Sequence, residues 1–191
     1  MVSKQGRNLA LGIVGGLVVG LVSSLVSFGG VPLTYLFLQD NSLVYRGWYW
    51  QLFTSLLVVL PNSLGVVDVL FNALAVVWLD GLLSDALAPA EYYAVFVTSG
   101  LAGNLFSLLN GPREISFGAS GGIFGLLAGA VALDYAVQRR VNYSLLSWFL
   151  LVFVFSSFGL SYVDWLAHLG GALFGLSAGY VLGSKRTARL L

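Results

Sequence analysis

Cysteine is absent from this chain, histidine occurs once, and charged side chains make up only 9% of the residues. Without cysteine there is no disulfide, no thiolate metal site and no thiol nucleophile, and the redox compartment cannot be read. One histidine excludes a cluster of imidazole ligands and the HExxH metalloprotease pattern, so no metal and no other cofactor is expected. Soluble domains carry about 25% charged residues, so the shortage also excludes an ordinary water-soluble enzyme. The nine cations are scattered and the net charge is only +1, which leaves no basic face for nucleic acid. What is present in excess is apolar: 58% of the 191 residues are hydrophobic, too many for a disordered chain. These proportions describe an integral membrane protein.

A helix crossing the hydrocarbon needs roughly 20 mostly apolar residues, so six crossings consume about 120 and leave loops but no separate soluble domain. Apolar runs predict spans at 8–28, 64–83, 90–109, 117–138, 143–160 and 163–183, in a single membrane domain over residues 1–191. The first run follows Lys4 and Arg7 as a signal peptide would. It is longer than such a peptide needs and lacks a small-x-small cleavage site, so an uncleaved anchor is expected. Leu52–Leu60 is too short to cross before Pro61-Asn62 interrupts it, and is expected to lie in or dip into the interface. Tyr35, Phe37, Tyr45, Trp48, Tyr49, Trp50 and Phe53 cluster just ahead of it, a density of amphipathic rings suited to headgroup depth. The first loop is therefore long, aromatic and half-embedded, in contact with lipid.

With the amino terminus cytoplasmic, Lys4, Arg7, Arg139, Arg140, Lys185, Arg186 and Arg189 lie inside and only Arg46 and Arg113 outside. That asymmetry obeys the positive-inside rule and puts both termini in the cytoplasm of a cell-membrane protein. Ionisable and polar groups within spans are costly, so each needs a reason. Asp134 is expected to reach the cytoplasmic interface toward Arg139, and Asp164 to be solvated at the external mouth of the sixth span. Asn72, Ser120 and His168 instead share one depth in the outer half of the bilayer. A serine, an imidazole and a side-chain amide at one depth can form a nucleophile, a base and an oxyanion donor. Each also has a plainer role: a serine bonding its own helix, an asparagine joining helices, a histidine relaying protons.

Local sequence favours the chemical role. Ser120 sits in Gly118-Ala119-Ser120-Gly121, where glycines permit a tight turn into a helix whose first N–H groups face a developing oxyanion. His168 stands in Ala167-His168-Leu169-Gly170-Gly171, and Gly175 and Gly179 continue its direction within about 20° on an ideal helix. Gly121, Gly125 and Gly129 form a second smooth stripe on span four, so the two helices can come very close.

In this arrangement the chain resembles the rhomboid family of intramembrane serine proteases, over nearly its whole length and as a six-span core without further domains. The resemblance implies an all-α, six-helix membrane bundle with a long, partly embedded first loop. Matching GxSG at the head of span four, it implies Ser120 as nucleophile; matching AHxxG on span six, it implies His168 as general base, with Gly171 in the same motif. It also implies Phe124 as the aromatic packed on the histidine, making a dyad with no third acid. Asn72 and the backbone N–H groups around Ser120 would hold the oxyanion. Substrates would be transmembrane proteins, cut near the outer ends of their spans.

Three departures stand out. Where the family commonly shows HxxxN, this chain reads Asp68-Val69-Leu70-Phe71-Asn72, and an ionised Asp68 would repel the oxyanion unless it is protonated or faces water. Gln51 replaces an arginine that anchors the first loop, and Phe124 lacks a tyrosine hydroxyl. A catalytically weak or inactive relative that binds membrane helices is therefore the alternative. A transporter fits less well, since no internal repeat is found.

Overall fold

Each long helix begins where the chain supplies a cap or a turn. In the computed structural model, which describes residues 2–158 and 163–188, α1 (Lys4–Ser24) starts at Ser3, whose Oγ accepts from Gly6 N at 3.1 Å. Two short helices, α2 (Asn41–Val44) and α3 (Gln51–Thr54), lie in the first loop. Asn62 caps α4 (Ser63–Leu83), accepting from Gly65 N at 3.0 Å, and Pro89 opens α5 (Pro89–Ser107) at a position where no N–H is missed. Then follow α6 (Ser120–Gln138), α7 (Tyr143–Phe158) and α8 (Trp165–Ala188). Five of these are long and apolar enough to cross a membrane. The sixth, α7, has 16 described residues. Residues 159–160 of the fifth expected span, like Arg189 in the charge count, lie outside the described residues.

The expected spans appear in order, with shifts in the first and the last: α8 ends at Ala188, five residues beyond 183. The first helix runs four residues earlier than 8–28, because Ser3 is tied to the far end of α4: its N and Oγ both donate to the buried Asp80 carboxylate. Lys4 and Arg7 therefore occupy the first turns of the helix, exposed, rather than preceding it. At the same end of the bundle, Arg186 of α8 pairs with Glu91 of α5 at 2.6 Å, the single ion pair among the described residues. Asp134 makes no ion pair with Arg139, contrary to expectation; it lines a polar recess with Gln138 and Arg140.

The core of the bundle is α6, buried on nearly every side between α5 and α8. Small residues make this possible. A Cβ on Gly171, Gly175 or Gly179 of α8 would overlap the carbonyl of Gly121, Gly125 or Gly129 respectively, so the two glycine stripes face each other backbone to backbone. On the other side, a Cβ on Gly103 of α5 would stand 2.5 Å from the Ala167 carbonyl.

The segment 52–60, expected in or dipping into the interface, packs partly into the protein. Leu56, Val58 and Val59 are buried in the protein, and Gly16 and Gly20 of α1 admit the carbonyls of Leu57 and Val59. Irregular backbone at membrane depth is tolerated when protein covers it in this way. The aromatic part of the loop does face outward: Tyr45, Tyr49, Trp50 and Phe53 are exposed, with Trp48 stacked on Trp50 at 4.9 Å. A two-residue hairpin of β1 (Ser27–Phe28) and β2 (Val31–Pro32) follows α1. A second pair, β3 (Gln39–Asp40) with β4 (Ile115–Ser116), joins the first loop to the segment ahead of α6.

Candidate active site

The turn into α6 is built from backbone. Gly118 has φ of 107°, a conformation that side chains resist, and its N–H donates to the Ser55 carbonyl at 2.8 Å. Helix α6 then begins at Ser120 without a side-chain cap, its first incoming bond running from Ile123 N to Ala119 O. The N–H groups of Ser120, Gly121 and Gly122 thus have no partner within the helix and carry its positive dipole end.

His168 lies one turn into α8 and is 4% exposed, whereas Ser120 is half-buried. The imidazole Nε2 is 2.9 Å from Ser120 Oγ. Its ring packs on Phe124 with centroids 4.4 Å apart, and Phe124 in turn meets the edge-on ring of Phe153 from α7 at 5.4 Å. Gly121 and Gly171 set this geometry. Gly121 lies 3.3 Å (from its would-be Cβ) from the Ala167 carbonyl, and Gly171 sits on the Gly121 carbonyl, so the helices meet just where the two side chains project.

Asn72 is buried, but its amide is engaged: Nδ2 donates to Asp68 Oδ2 at 2.8 Å. The Asp68 carboxyl group in turn abuts Gly118, since a Cβ there would stand 2.6 Å from Oδ2. The acidic replacement therefore sits against the turn that precedes Ser120 rather than facing away from it. Asp164 is not simply solvated, as was expected. Its Oδ1 caps α8 by accepting from Ala167 N at 3.1 Å and also accepts from Asn110 Nδ2 at 2.8 Å. Beside it on the loop, partial burial first and the Asp164 charge second push the Glu114 carboxyl above the usual range.

Gln51 corrects the expectation that losing the arginine removes an anchor. It is fully buried, its Oε1 accepts from Asp40 N and its Nε2 donates to Tyr35 O, both at 3.0 Å. Further buried amides complete the stitching: Asn104 of α5 donates to Leu52 O and Ser55 Oγ, Gln39 donates to Asn104 O, and Asn41 donates to Ser107 O and Gly111 O. None of these was singled out from sequence. Neither was Ser157 of α7, buried with its Oγ 2.9 Å from His168 Nδ1. Its signal was a Ser156-Ser157 pair after the apolar run Trp148–Phe155.

Comparison with known proteins identifies the family of the chain. A family model described as Rhomboid domain matches residues 46–185. Rhomboid protease GluP of Bacillus subtilis is 27% identical over 165 residues, covering 84% of this chain and 30% of that protein. RHOMBOID-like protein 1 of Arabidopsis thaliana is 29% identical over 148 residues, 75% of this chain and 37% of its own. Putative rhomboid protease YdcA of Bacillus subtilis is 32% identical over 145 residues, 73% of this chain and 68% of its own. The chain thus spans about a third of the length of the first two relatives.

Proposed function

This chain belongs to the rhomboid family, and from that premise we propose that it is an intramembrane serine endopeptidase working through Ser120 and His168. The observation that carries the reading is the 2.9 Å approach of Ser120 Oγ to the buried His168 Nε2. At that separation Nε2 takes the hydroxyl proton as Oγ attacks a peptide carbonyl carbon. The carbonyl oxygen becomes an oxyanion held by the free N–H groups at the head of α6, with the second N–H of the Asn72 amide available as a further donor. The imidazolium then protonates the departing amine, and the C–N bond breaks to leave an ester on Ser120. A water molecule, deprotonated by Nε2, attacks that ester and restores the serine.

The substrate is a transmembrane segment of another protein. A helical segment hides its scissile carbonyl in a hydrogen bond, so cleavage requires local unwinding and is favoured near the outer end of the span, at small or helix-breaking residues. Residues 1–191 act as one membrane domain, in the cell membrane, with both ends cytoplasmic. A fluorophosphonate that labels the wild type at Ser120, but neither Ser120→Ala nor His168→Ala, is the expected result. Undiminished cleavage of a membrane substrate by Ser120→Ala would refute the reading.

One observation favours a second reading, a weak or inactive member that binds membrane helices. Asp68 holds one of the two Asn72 N–H donors, which restricts how that amide can turn toward an oxyanion, and a carboxyl group stands close by. Losing a single such donor costs about 10²–10³ in rate. Binding of a substrate span without any fluorophosphonate labelling would select this reading.

A further inference from the structure

We propose that Ser157 is a positioning residue for His168, holding the imidazole in the tautomer whose Nε2 is free to accept the Ser120 proton. The proposal rests on the reading of Ser120 and His168 as nucleophile and base. A neutral imidazole carries one N–H. For Nε2 to receive a proton, the hydrogen must reside on Nδ1, and in a buried site that N–H needs an acceptor. Ser157 Oγ stands 2.9 Å from Nδ1, on a residue 3% exposed. No carboxylate bonds either ring nitrogen among the described residues.

Packing on Phe124 cannot do this work. A stacked neighbour restrains the ring plane, but the contact is nearly unchanged when the ring turns over or the proton changes nitrogen. The direction-sensitive restraint comes from the two serines, one on each nitrogen.

Three other helix hydroxyls give the contrast. Ser156 Oγ donates to the Val152 carbonyl at 2.6 Å, Thr98 Oγ1 to Ala94 and Ser177 Oγ to Leu173, each bonding its own helix four residues back. Ser157 departs from that habit and turns to the imidazole. It also lies on the inner face of α7, where Phe149, Phe153 and Ser157 recur every fourth residue. Phe149 and Ser157 are the buried residues of that helix. During proton transfer Nδ1–H continues to donate to Ser157 Oγ while Nε2 gains the proton from Ser120, so the hydroxyl adds no charge and takes no proton.

The chain has a single histidine, so ¹⁵N-histidine NMR in detergent micelles reports one imidazole. The comparison is Ser157→Thr against Ser157→Val, two side chains of the same shape of which only the first keeps a hydroxyl. Ser157→Ala serves as a third variant that adds no volume. The wild type and Ser157→Thr are expected to show a protonated Nδ1 and a bare Nε2, and Ser157→Val and Ser157→Ala a mixture of tautomers. With a membrane substrate, kcat is expected to fall about 10- to 100-fold in the variants without the hydroxyl, the size of a hydrogen bond to a charged group. KM should stay within about twofold, and Ser157→Thr should recover most of the loss. Identical tautomers in the threonine and valine variants would overturn the proposal. The NMR comparison needs no cleavage, so its failure is distinct from failure of fluorophosphonate labelling at Ser120.

Discussion

Adding the same methyl group to two helix glycines should move stability in opposite directions. Gly15 of α1 has no atom within 4 Å of a would-be Cβ, whereas a Cβ on Gly175 of α8 would overlap the carbonyl and Cα of Gly125. Gly15→Ala removes glycine's conformational entropy from a helix interior and is expected to stabilise by about 1 kcal/mol. Gly175→Ala gains the same term and loses more. The obstructing atoms are backbone, and Ile123 to Ala130 of α6 are all buried around them, so nothing yields without moving one helix off the other. Overpacking of this kind costs about 1–3 kcal/mol, which places the two variants about 1–3 kcal/mol apart. Separation of α6 from α8 also separates Ser120 from His168, and a misplacement of about 1 Å in reacting groups can cost about 10² in rate. Reversible unfolding in mixed detergent, read beside cleavage of a membrane substrate, measures both effects. Equal stabilisation of the two variants with unchanged cleavage would refute the claim that the glycine stripes hold the dyad together.

Three further outcomes follow from the geometry. Asp68→Asn keeps the shape of the side chain and removes its charge. At an effective dielectric near 20, unit charges about 8 Å apart repel by about 2 kcal/mol, so kcat should rise by up to about 30-fold, and an unchanged kcat would show that Asp68 does not oppose the reaction. Gln51→Leu leaves Asp40 N and Tyr35 O without partners and is expected to cost about 2–4 kcal/mol in an unfolding titration; a loss under about 0.5 kcal/mol would mean the loop is held by its other amides. Because the chain has no cysteine, Arg113→Cys and Arg139→Cys give single labels. An impermeant maleimide should reach the first in intact cells and the second only after permeabilisation, and the reverse pattern would invert the proposed orientation.

The helical architecture was legible because the bilayer demands it. A span announces itself as an apolar run, and the polar residues that interrupt such runs are few enough to weigh singly. The two glycine stripes were legible for the same reason, since spacing of four on a helix fixes a face. The local supports were not. Gln39, Asn41 and Asn104 are ordinary polar residues in a loop or at a helix end until the fold buries them together. Nothing in their spacing along the chain announces that they bond each other. Nothing near Asp80 in the sequence marks its partner, Ser3, which lies 77 residues away. Ser157 was overlooked because a membrane-helix serine usually bonds its own backbone, and only the position of α8 shows that this one meets the imidazole.

The two halves of the candidate dyad are supported unequally, and the difference has a consequence. Ser120 stands on α6, which is buried almost throughout, and on a Gly118 turn bonded to Ser55, itself held by Asn104. His168 shares the rigid α6–α8 contact below it, yet both groups that orient its ring from the other side trace to α7. Ser157 reaches Nδ1 directly, and Phe153 supports Phe124. Helix α7 buries only two side chains, and most of its surface faces outward. A helix held by so little apolar contact shifts at small cost, and any shift releases the histidine's orientation before it disturbs the bundle. Changes on the inner face of α7 should therefore lower rate with little effect on global stability, whereas changes in the α6–α8 stripes should lower both together.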